Sequence, residues 1–148
     1  MDVRSSVDLD AAPSEVHDVV VDLGGYPQWL EIVRAALPIV GEPPSWTVEL
    51  QARLGRLARS KRLRMELVTN EPLSVVFERR ELDAKMHGVW RLSATTSPRG
   101  EGCTLAMHLH YSGGLFVPML EGLLSGEIER AKPRLAALLA QRRGTQAT

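Results

Sequence analysis

The chain has 148 residues, in which 18 Lys and Arg residues balance 18 Asp and Glu residues. This length is typical of one domain, and we assign residues 1–148 to a single domain. The zero net charge excludes a strongly basic nucleic-acid-binding protein and a disordered polyelectrolyte. The single cysteine, Cys103, excludes an intrachain disulfide, and no apolar run approaches the roughly 20 residues that span a bilayer. Because the first residues also lack the pattern of a secretory signal, we expect a soluble cytoplasmic protein.

The balanced charge conceals two oppositely charged segments. Residues 1–31 contain seven acids and one base, a net charge of −6, whereas residues 53–64 contain six bases and no acid. The acidic segment is a candidate counterpart of the basic one, either within one chain or in a homodimer.

The first thirty residues predict a strand followed by two short helices. Residues 3–9 alternate between apolar and polar side chains, which is typical of a strand. Ser14 is a candidate N-cap for a helix that ends at Gly24 and Gly25. A second helical turn is expected to begin near Pro27.

Residues 32–111 alternate with the period of two that indicates strands. Six strands are predicted, over residues 32–40, 46–54, 62–67, 74–79, 86–93 and 103–111. Their short connections favour an antiparallel sheet.

From Leu115 to Leu139, apolar residues recur at spacings of three and four, which predicts a long amphipathic helix. Pro133 is expected to kink this helix, and residues 142–148 are expected to form a frayed tail. The polar face of the helix contains Glu121, Glu127, Glu129, Arg130, Lys132 and Arg134.

Three segments together resemble one known superfamily. The opening VDLDAAPSEVHDVVVDLGGYPQWL, the strand GVWRL (88–92) and the closing SGGLFVPMLEGLLSGEIERAKPRLAALLAQ resemble the START-like (SRPBCC) superfamily, in its polyketide cyclase/dehydrase branch. The resemblance implies an α+β helix-grip fold: a curved seven-stranded antiparallel sheet wrapped around a long C-terminal helix, with two short helices after the first strand. It also implies a ligand cavity between the sheet and that helix.

The inward faces of the predicted elements supply the candidate ligand-binding residues. They are Trp46, Leu50, Met65, Phe77, Trp90, Met107, Tyr111, Met119, Leu120 and Leu123. Each of these side chains also fits a simple core position. Gly122 and Gly126, one turn apart, favour either a shallow strip on the helix that faces the cavity or the close approach of a strand.

Catalytic and metal-binding signals are weak in this sequence. No inward carboxylate–histidine or serine–histidine pair is predicted, so no catalytic residue, cofactor or metal is assigned, and binding is favoured over catalysis. His87, His108 and His110 could meet across neighbouring strands, but surface histidines are the expected interpretation. Cys103 is expected to be a small buried hydrophobe.

The leading functional hypothesis is therefore the binding or carriage of an apolar or aromatic molecule, such as a lipid, a polyketide or an isoprenoid. One alternative is a polyketide aromatase/cyclase, an activity that the resemblance includes. Another is an interaction module in which Arg56, Arg59 and Arg62 of the basic hairpin contact a protein, RNA or ribosomal partner. Sequence-specific reading of RNA is not expected, because no aromatic residue lies between Arg53 and Arg64.

Overall fold

Seven antiparallel strands form one sheet in the order β1-β7-β6-β5-β4-β3-β2. The structure is a computed structural model that describes residues 1–54, 56–112 and 117–146, without the side chains of 54, 57, 117–121 and 146. The strands are β1 (Asp2–Leu9), β2 (Val33–Ile39), β3 (Ser45–Leu54), β4 (Leu57–Glu71), β5 (Ser74–Arg79), β6 (Trp90–Arg99) and β7 (Gly102–Tyr111). The helices are α1 (Pro13–Val20), a 3-10 helix (Leu23–Gln28) and α2 (Val117–Gln146). This arrangement confirms the helix-grip prediction.

The strands of the open sheet differ in length, and the longest one is bent by a bulge. β4 has 15 residues and pairs with both β3 and β5, and its register with β5 shifts between Leu67 and Thr69. Such a bulge bends a strand and increases its twist, which lets the sheet curve around a helix. The backbones of β1 and β7 also approach each other closely at Gly102. A Cβ atom at this position would collide with the Leu9 carbonyl.

The start of α1 differs from the prediction. Ala12, not Ser14, is the N-cap residue, and no side chain caps this helix. Pro13 opens the first turn, where its missing N–H costs nothing and its fixed φ suits the helix. The prediction of an N-cap at Ser14 was therefore wrong, because Pro13 already defines the start of the helix.

Gly24 and Gly25 do not end α1. The helix ends at Val20, and both glycines lie inside the 3-10 helix, whose N-cap Asp22 accepts a hydrogen bond from the Gly24 amide at 2.9 Å. The Asp22 cap thus starts a second helical segment where the glycines were expected to end the first.

The strand predicted over 86–93 begins later, at Trp90. Met86 is fully exposed, and residues 80–89 contain no strand. The partners of β6 explain this start, since its pairing with β5 begins at Arg91 and its pairing with β7 begins at Trp90. Residues 86–89 continue the alternating pattern, but no described strand lies beside them to complete the backbone hydrogen-bond ladder.

The long helix α2 continues without interruption through Pro133 and reaches Gln146. Leu124, Ala131, Leu135 and Leu139 are buried against the inner face of the sheet. The tail that was expected to fray from residue 142 is helical as far as Gln146. Arg143 attaches this part to the N-terminal region, donating to Glu15 at 3.0 Å and to the Asp10 carbonyl at 2.7 Å.

The acidic segment is not paired with the basic hairpin among the described residues. Its carboxylates instead form ion pairs with arginines of β6 and α2. These pairs are Asp8–Arg99, Glu31–Arg134 and Glu15–Arg143. None of the described helices is long and apolar enough to cross a membrane.

Candidate functional site: an apolar cavity between the sheet and the long helix

A cavity of about 130 Å³ lies between the inner face of the sheet and α2. Strands β1, β3, β4, β6 and β7, the segment from the 3-10 helix to the start of β2, and α2 all contribute to its wall. Side chains on the wall are almost entirely aliphatic or aromatic. They include Val3, Val7, Leu23, Tyr26, Leu30, Val48, Leu63, Leu92, Leu105, Leu109, Leu124, Ile128 and Leu135.

The ten predicted ligand-binding residues fall into three groups. Leu50, Met65, Trp90 and Met107 line the cavity. Trp46, Phe77 and Tyr111 are buried in the core, and Leu123 packs against the core from α2. The side chains of Met119 and Leu120 lie outside the described residues.

The three core aromatic residues support the cavity wall from behind. Phe77 makes edge-to-face contacts with Tyr26 and Trp46, with ring centroids 6.3 and 5.6 Å away. Tyr111 stacks on Trp90 at 5.1 Å. Because Tyr26 and Trp90 themselves line the cavity, the core rings hold two of its wall residues in place.

Trp29 and Trp90 bring unpaired donors to this region. Both residues line the cavity and are buried, and in the described part of the chain neither indole N–H has a hydrogen-bond partner. Trp29 follows directly after the 3-10 helix. Buried donors of this kind are uncommon in folded proteins.

Two charged residues of α2 line the cavity, contrary to their assignment to the polar face. The lining residues of α2 are Leu124, Glu127, Ile128, Ala131, Lys132 and Leu135, which recur at spacings of one, three and four. At 100° per residue, Glu127 lies only about 60° from Leu124 around the helix axis. The arc of the helix that faces the cavity is therefore wider than the purely apolar stripe and includes Glu127 and Lys132.

Glu127 is held by its neighbour on the helix. Arg130 donates from Nη2 to Glu127 Oε1 at 2.6 Å, while Oε2 is buried and has no hydrogen-bond partner among the described residues. A Cβ atom on Gly126 would lie 3.4 Å from Arg130 Nη1, so the glycine leaves room for this guanidinium. No described residue lies within 4 Å of a Cβ built on Gly122. The two glycines therefore do not mark the close approach of a strand.

A polar cluster lies beside Trp90, where the basic hairpin joins the rest of the sheet. Lys61 Nζ is 5.5 Å from the centre of the Trp90 ring, and Arg79 pairs with Glu81 at 2.8 Å. Desolvation and, second, the charge of Arg79 lower the pKa of Lys61. His87 lies 3.4 Å from an Arg79 nitrogen. The cavity is therefore bordered at Trp90 by cationic side chains.

Some side chains of the basic hairpin lie on the cavity-facing side of the sheet. In the register of β3 and β4, Lys61 lies opposite Leu50 and Arg59 lies opposite Ala52. Both bases are therefore on the same face of β4 as Leu63 and Met65. Arg56, Arg59 and Arg62 are all exposed.

The three histidines considered as metal ligands, His87, His108 and His110, form two separate hydrogen-bonded groups. His108 Nε2 and His110 Nδ1 lie 2.7 and 2.9 Å from Asp2 Oδ1, while His87 contacts Asp83 at 2.7 Å. Hydrogen bonds from His108 and His110 lower the pKa of Asp2 to about 2. In the described part of the chain, no group of three His, Cys, Asp or Glu side chains is arranged to hold a metal ion. Cys103 is buried, as predicted.

The sequence profile described as "Polyketide cyclase / dehydrase and lipid transport" matches residues 1–140. The chain belongs to this family. It is the family that the opening segment, the GVWRL strand and the closing helix had indicated. A search of the curated proteins finds no match to the sequence.

Solved structures share the fold along nearly the full chain. A conserved protein from Geobacillus kaustophilus has a TM-score of 0.74 and 14% identity, covering 95% of this chain and 96% of its own. A START superfamily protein from Mycobacterium smegmatis has a TM-score of 0.70 and 17% identity, covering 95% and 97%. The Zhui aromatase/cyclase from a Streptomyces species has a TM-score of 0.66 and 13% identity, covering 96% and 94%. At these identities the likeness establishes the common fold.

Proposed function

We propose that this protein binds an apolar or aromatic small molecule in the cavity between the sheet and α2. The observation that carries the proposal is the almost wholly apolar wall around about 130 Å³ of space. A cavity of similar size, about 150 Å³ and lined by aliphatic and aromatic residues, binds benzene in an engineered protein. The volume therefore fits a single ring.

The ten candidate ligand-binding residues enter this proposal in two roles. Leu50, Met65, Trp90 and Met107 are proposed to touch the ligand, together with Trp29. Trp46, Phe77 and Tyr111 are proposed to act through the wall residues that they support. Leu123 is a neighbouring helix position, and Met119 and Leu120 stay predictions.

Native mass spectrometry of the purified protein and thermal unfolding with added benzene-sized compounds test the proposal. A ligand that binds only the folded protein raises its stability, by about 2.7 kcal/mol at a concentration 100 times the dissociation constant. We expect a co-purified small molecule or a concentration-dependent rise in the melting temperature. The absence of both would contradict the proposal.

A second candidate is the polyketide aromatase/cyclase activity, which family membership and the Glu127 side chain on the cavity wall support. Such a reaction requires groups that move protons at the bound chain. The ionisable wall residues Glu127 and Lys132 are both ion-paired, with Arg130 and Glu129. Simple binding is therefore the favoured function. A changed product distribution when a reactive poly-β-ketone chain is incubated with the protein would instead support the cyclase.

The basic hairpin is the basis of a third, separate candidate, a partner-binding surface at Arg56, Arg59 and Arg62. Replacing all three with Glu and measuring partner capture in a pull-down tests it, since Coulomb attraction to an acidic partner would become repulsion. Unchanged capture would exclude this surface as the binding site.

A further inference from the structure

Lys61 lies at the edge of the cavity, among residues of its wall. In the register of β3 and β4 it lies opposite Leu50, and Leu63 is the next residue on the same face of β4. Its ammonium nitrogen is 5.5 Å from the centre of the Trp90 ring. Leu50, Leu63 and Trp90 all line the cavity, whereas Lys61 itself does not. The ammonium group therefore lies just outside the apolar space, at its border.

Two other basic side chains at this edge, Arg79 and His87, already have acidic partners. Arg79 pairs with Glu81 at 2.8 Å, and His87 contacts Asp83 at 2.7 Å. In the described part of the chain, by contrast, Lys61 forms no ion pair. Lys61 therefore contributes a cationic charge at the edge of the cavity that no described carboxylate balances.

The surroundings of Lys61 favour the approach of an anion. Desolvation and, second, the charge of Arg79 lower the pKa of Lys61. An anion close to the ammonium group would offset both effects, because it stabilises the charged form. Lys61 is nevertheless an exposed residue, so a charged group of a ligand can reach it. Because an ammonium group has three donors, it can hold an anion while it stays over the Trp90 ring.

The cavity wall limits which part of a ligand can be charged. The wall is almost entirely apolar, and its volume of about 130 Å³ fits a single ring. A carboxylate inside this space would lose its hydration without gaining a partner, which is strongly unfavourable. A chain that leaves the cavity past Trp90 instead brings its end to Lys61. Because Glu81 balances Arg79, one negative charge at that end is enough to match Lys61.

We propose that the ligand is an amphiphilic carboxylate, whose apolar ring or chain fills the cavity and whose carboxylate pairs with the Lys61 ammonium group at the cavity edge. This inference rests on the proposed binding function and specifies its ligand class. Lys61 is then a specificity-determining residue, distinct from the three arginines of the partner-binding candidate.

The test compares 4-phenylbutanoate with its neutral amide, 4-phenylbutanamide, by isothermal titration calorimetry at neutral pH and low ionic strength. The two molecules have the same ring and chain and nearly the same shape, so they differ mainly in charge. An ion pair at a protein surface contributes up to about fivefold in affinity, so we expect the wild type to bind the carboxylate about threefold to fivefold more tightly. Added salt should reduce this preference, because it screens exposed charges.

Variants of two lysines separate an ion pair at Lys61 from a general effect of protein charge. Lys61→Met removes the charge and keeps an unbranched side chain, so the carboxylate should then bind no more tightly than the amide. Lys61→Arg keeps the charge and should keep the preference. Lys85→Met is the matched control, since Lys85 is exposed in the loop between β5 and β6, and it should also keep the preference. Both lysines are exposed, so these variants are expected to fold.

The outcomes distinguish the inference from the function on which it rests. Equal affinity for the two ligands in the wild type, or an unchanged preference in Lys61→Met, would overturn the role of Lys61 and leave apolar binding intact. An equal loss of preference in Lys85→Met and Lys61→Met would do the same, as would binding of benzene-sized compounds without binding of either phenyl compound. If benzene-sized compounds also fail to bind, the proposed function itself is contradicted.

Discussion

Replacing Ala131 with Leu tests directly whether space exists between α2 and the sheet. Ala131 is 4% exposed, lies on the cavity-facing side of α2 and lines the cavity. The substitution adds three carbons, each worth about 0.8 kcal/mol when buried, for a ceiling of about 2.4 kcal/mol. Ordering the leucine side chain costs about 0.5–1 kcal/mol. We therefore expect Ala131→Leu to raise the free energy of unfolding by about 1–2 kcal/mol.

Ala11 provides the matched control for this substitution. It is 1% exposed and belongs to the core where β1 leads into α1, but it does not line the cavity. Adding the same three carbons at a fully packed position forces side chains and backbone to shift, at a cost of about 1–3 kcal/mol. Ala11→Leu should therefore lower the free energy of unfolding.

Urea unfolding of both variants and the wild type measures these free energies. The two leucine variants should change stability in opposite directions, and only Ala131→Leu should weaken the binding of a benzene-sized ligand. An equal loss of stability in both variants would show that the region around Ala131 is packed as tightly as the rest of the core. The binding proposal would then lose its structural basis.

Three further predictions concern a helix glycine, a buried hydrogen bond and an ion-paired carboxylate. Gly122→Ala should raise the free energy of unfolding by about 0.5–1 kcal/mol, since nothing described obstructs the new methyl group and Ala favours the helix; an unchanged denaturation midpoint would contradict this. Tyr26→Phe should cost about 1–3 kcal/mol in thermal unfolding, because the Val20 carbonyl loses the donor now 2.8 Å away. A cost below about 0.5 kcal/mol would show that this buried hydrogen bond contributes little. Asp2 has its pKa lowered from 3.8 to about 2, so its contribution to stability is present above about pH 4 and is lost as the pH falls through 2. Unfolding measured against pH should therefore show a smaller decline between pH 4 and 2 in Asp2→Asn than in the wild type, and identical profiles would count against it.

Much of the fold follows from periodicity alone. The alternation of Val3, Ser5, Val7 and Leu9 predicts β1, and the same pattern from Cys103 to Tyr111 predicts β7, because adjacent residues of a strand face opposite sides of a sheet. The change to spacings of three and four after residue 115 predicts α2. Each of these patterns is local, because it reflects only which side of its own strand or helix is buried.

The start of β6 could not be predicted in this way. Residues 86–89 continue the alternation that leads into Trp90, yet they form no strand and Met86 is exposed. A strand requires hydrogen-bond partners on the strands beside it in the sheet. The pairing of β6 with β5 begins only at Arg91, and its pairing with β7 begins only at Trp90. Where those partners lie is a property of the assembled sheet.

The periodicity of the sequence determined the α+β order of elements and the apolar character of the inner faces, and the resemblance of three segments indicated the family. Only the tertiary structure decided which inward residues enclose the cavity and which form the core behind it, because that division depends on how far α2 lies from each strand. It also decided the position of Glu127. A helical pattern groups this residue with the charged face, but the cavity-facing arc of α2 is wide enough to include its side chain. Such a distance between nonlocal elements has no signature in the spacing of residues along one helix.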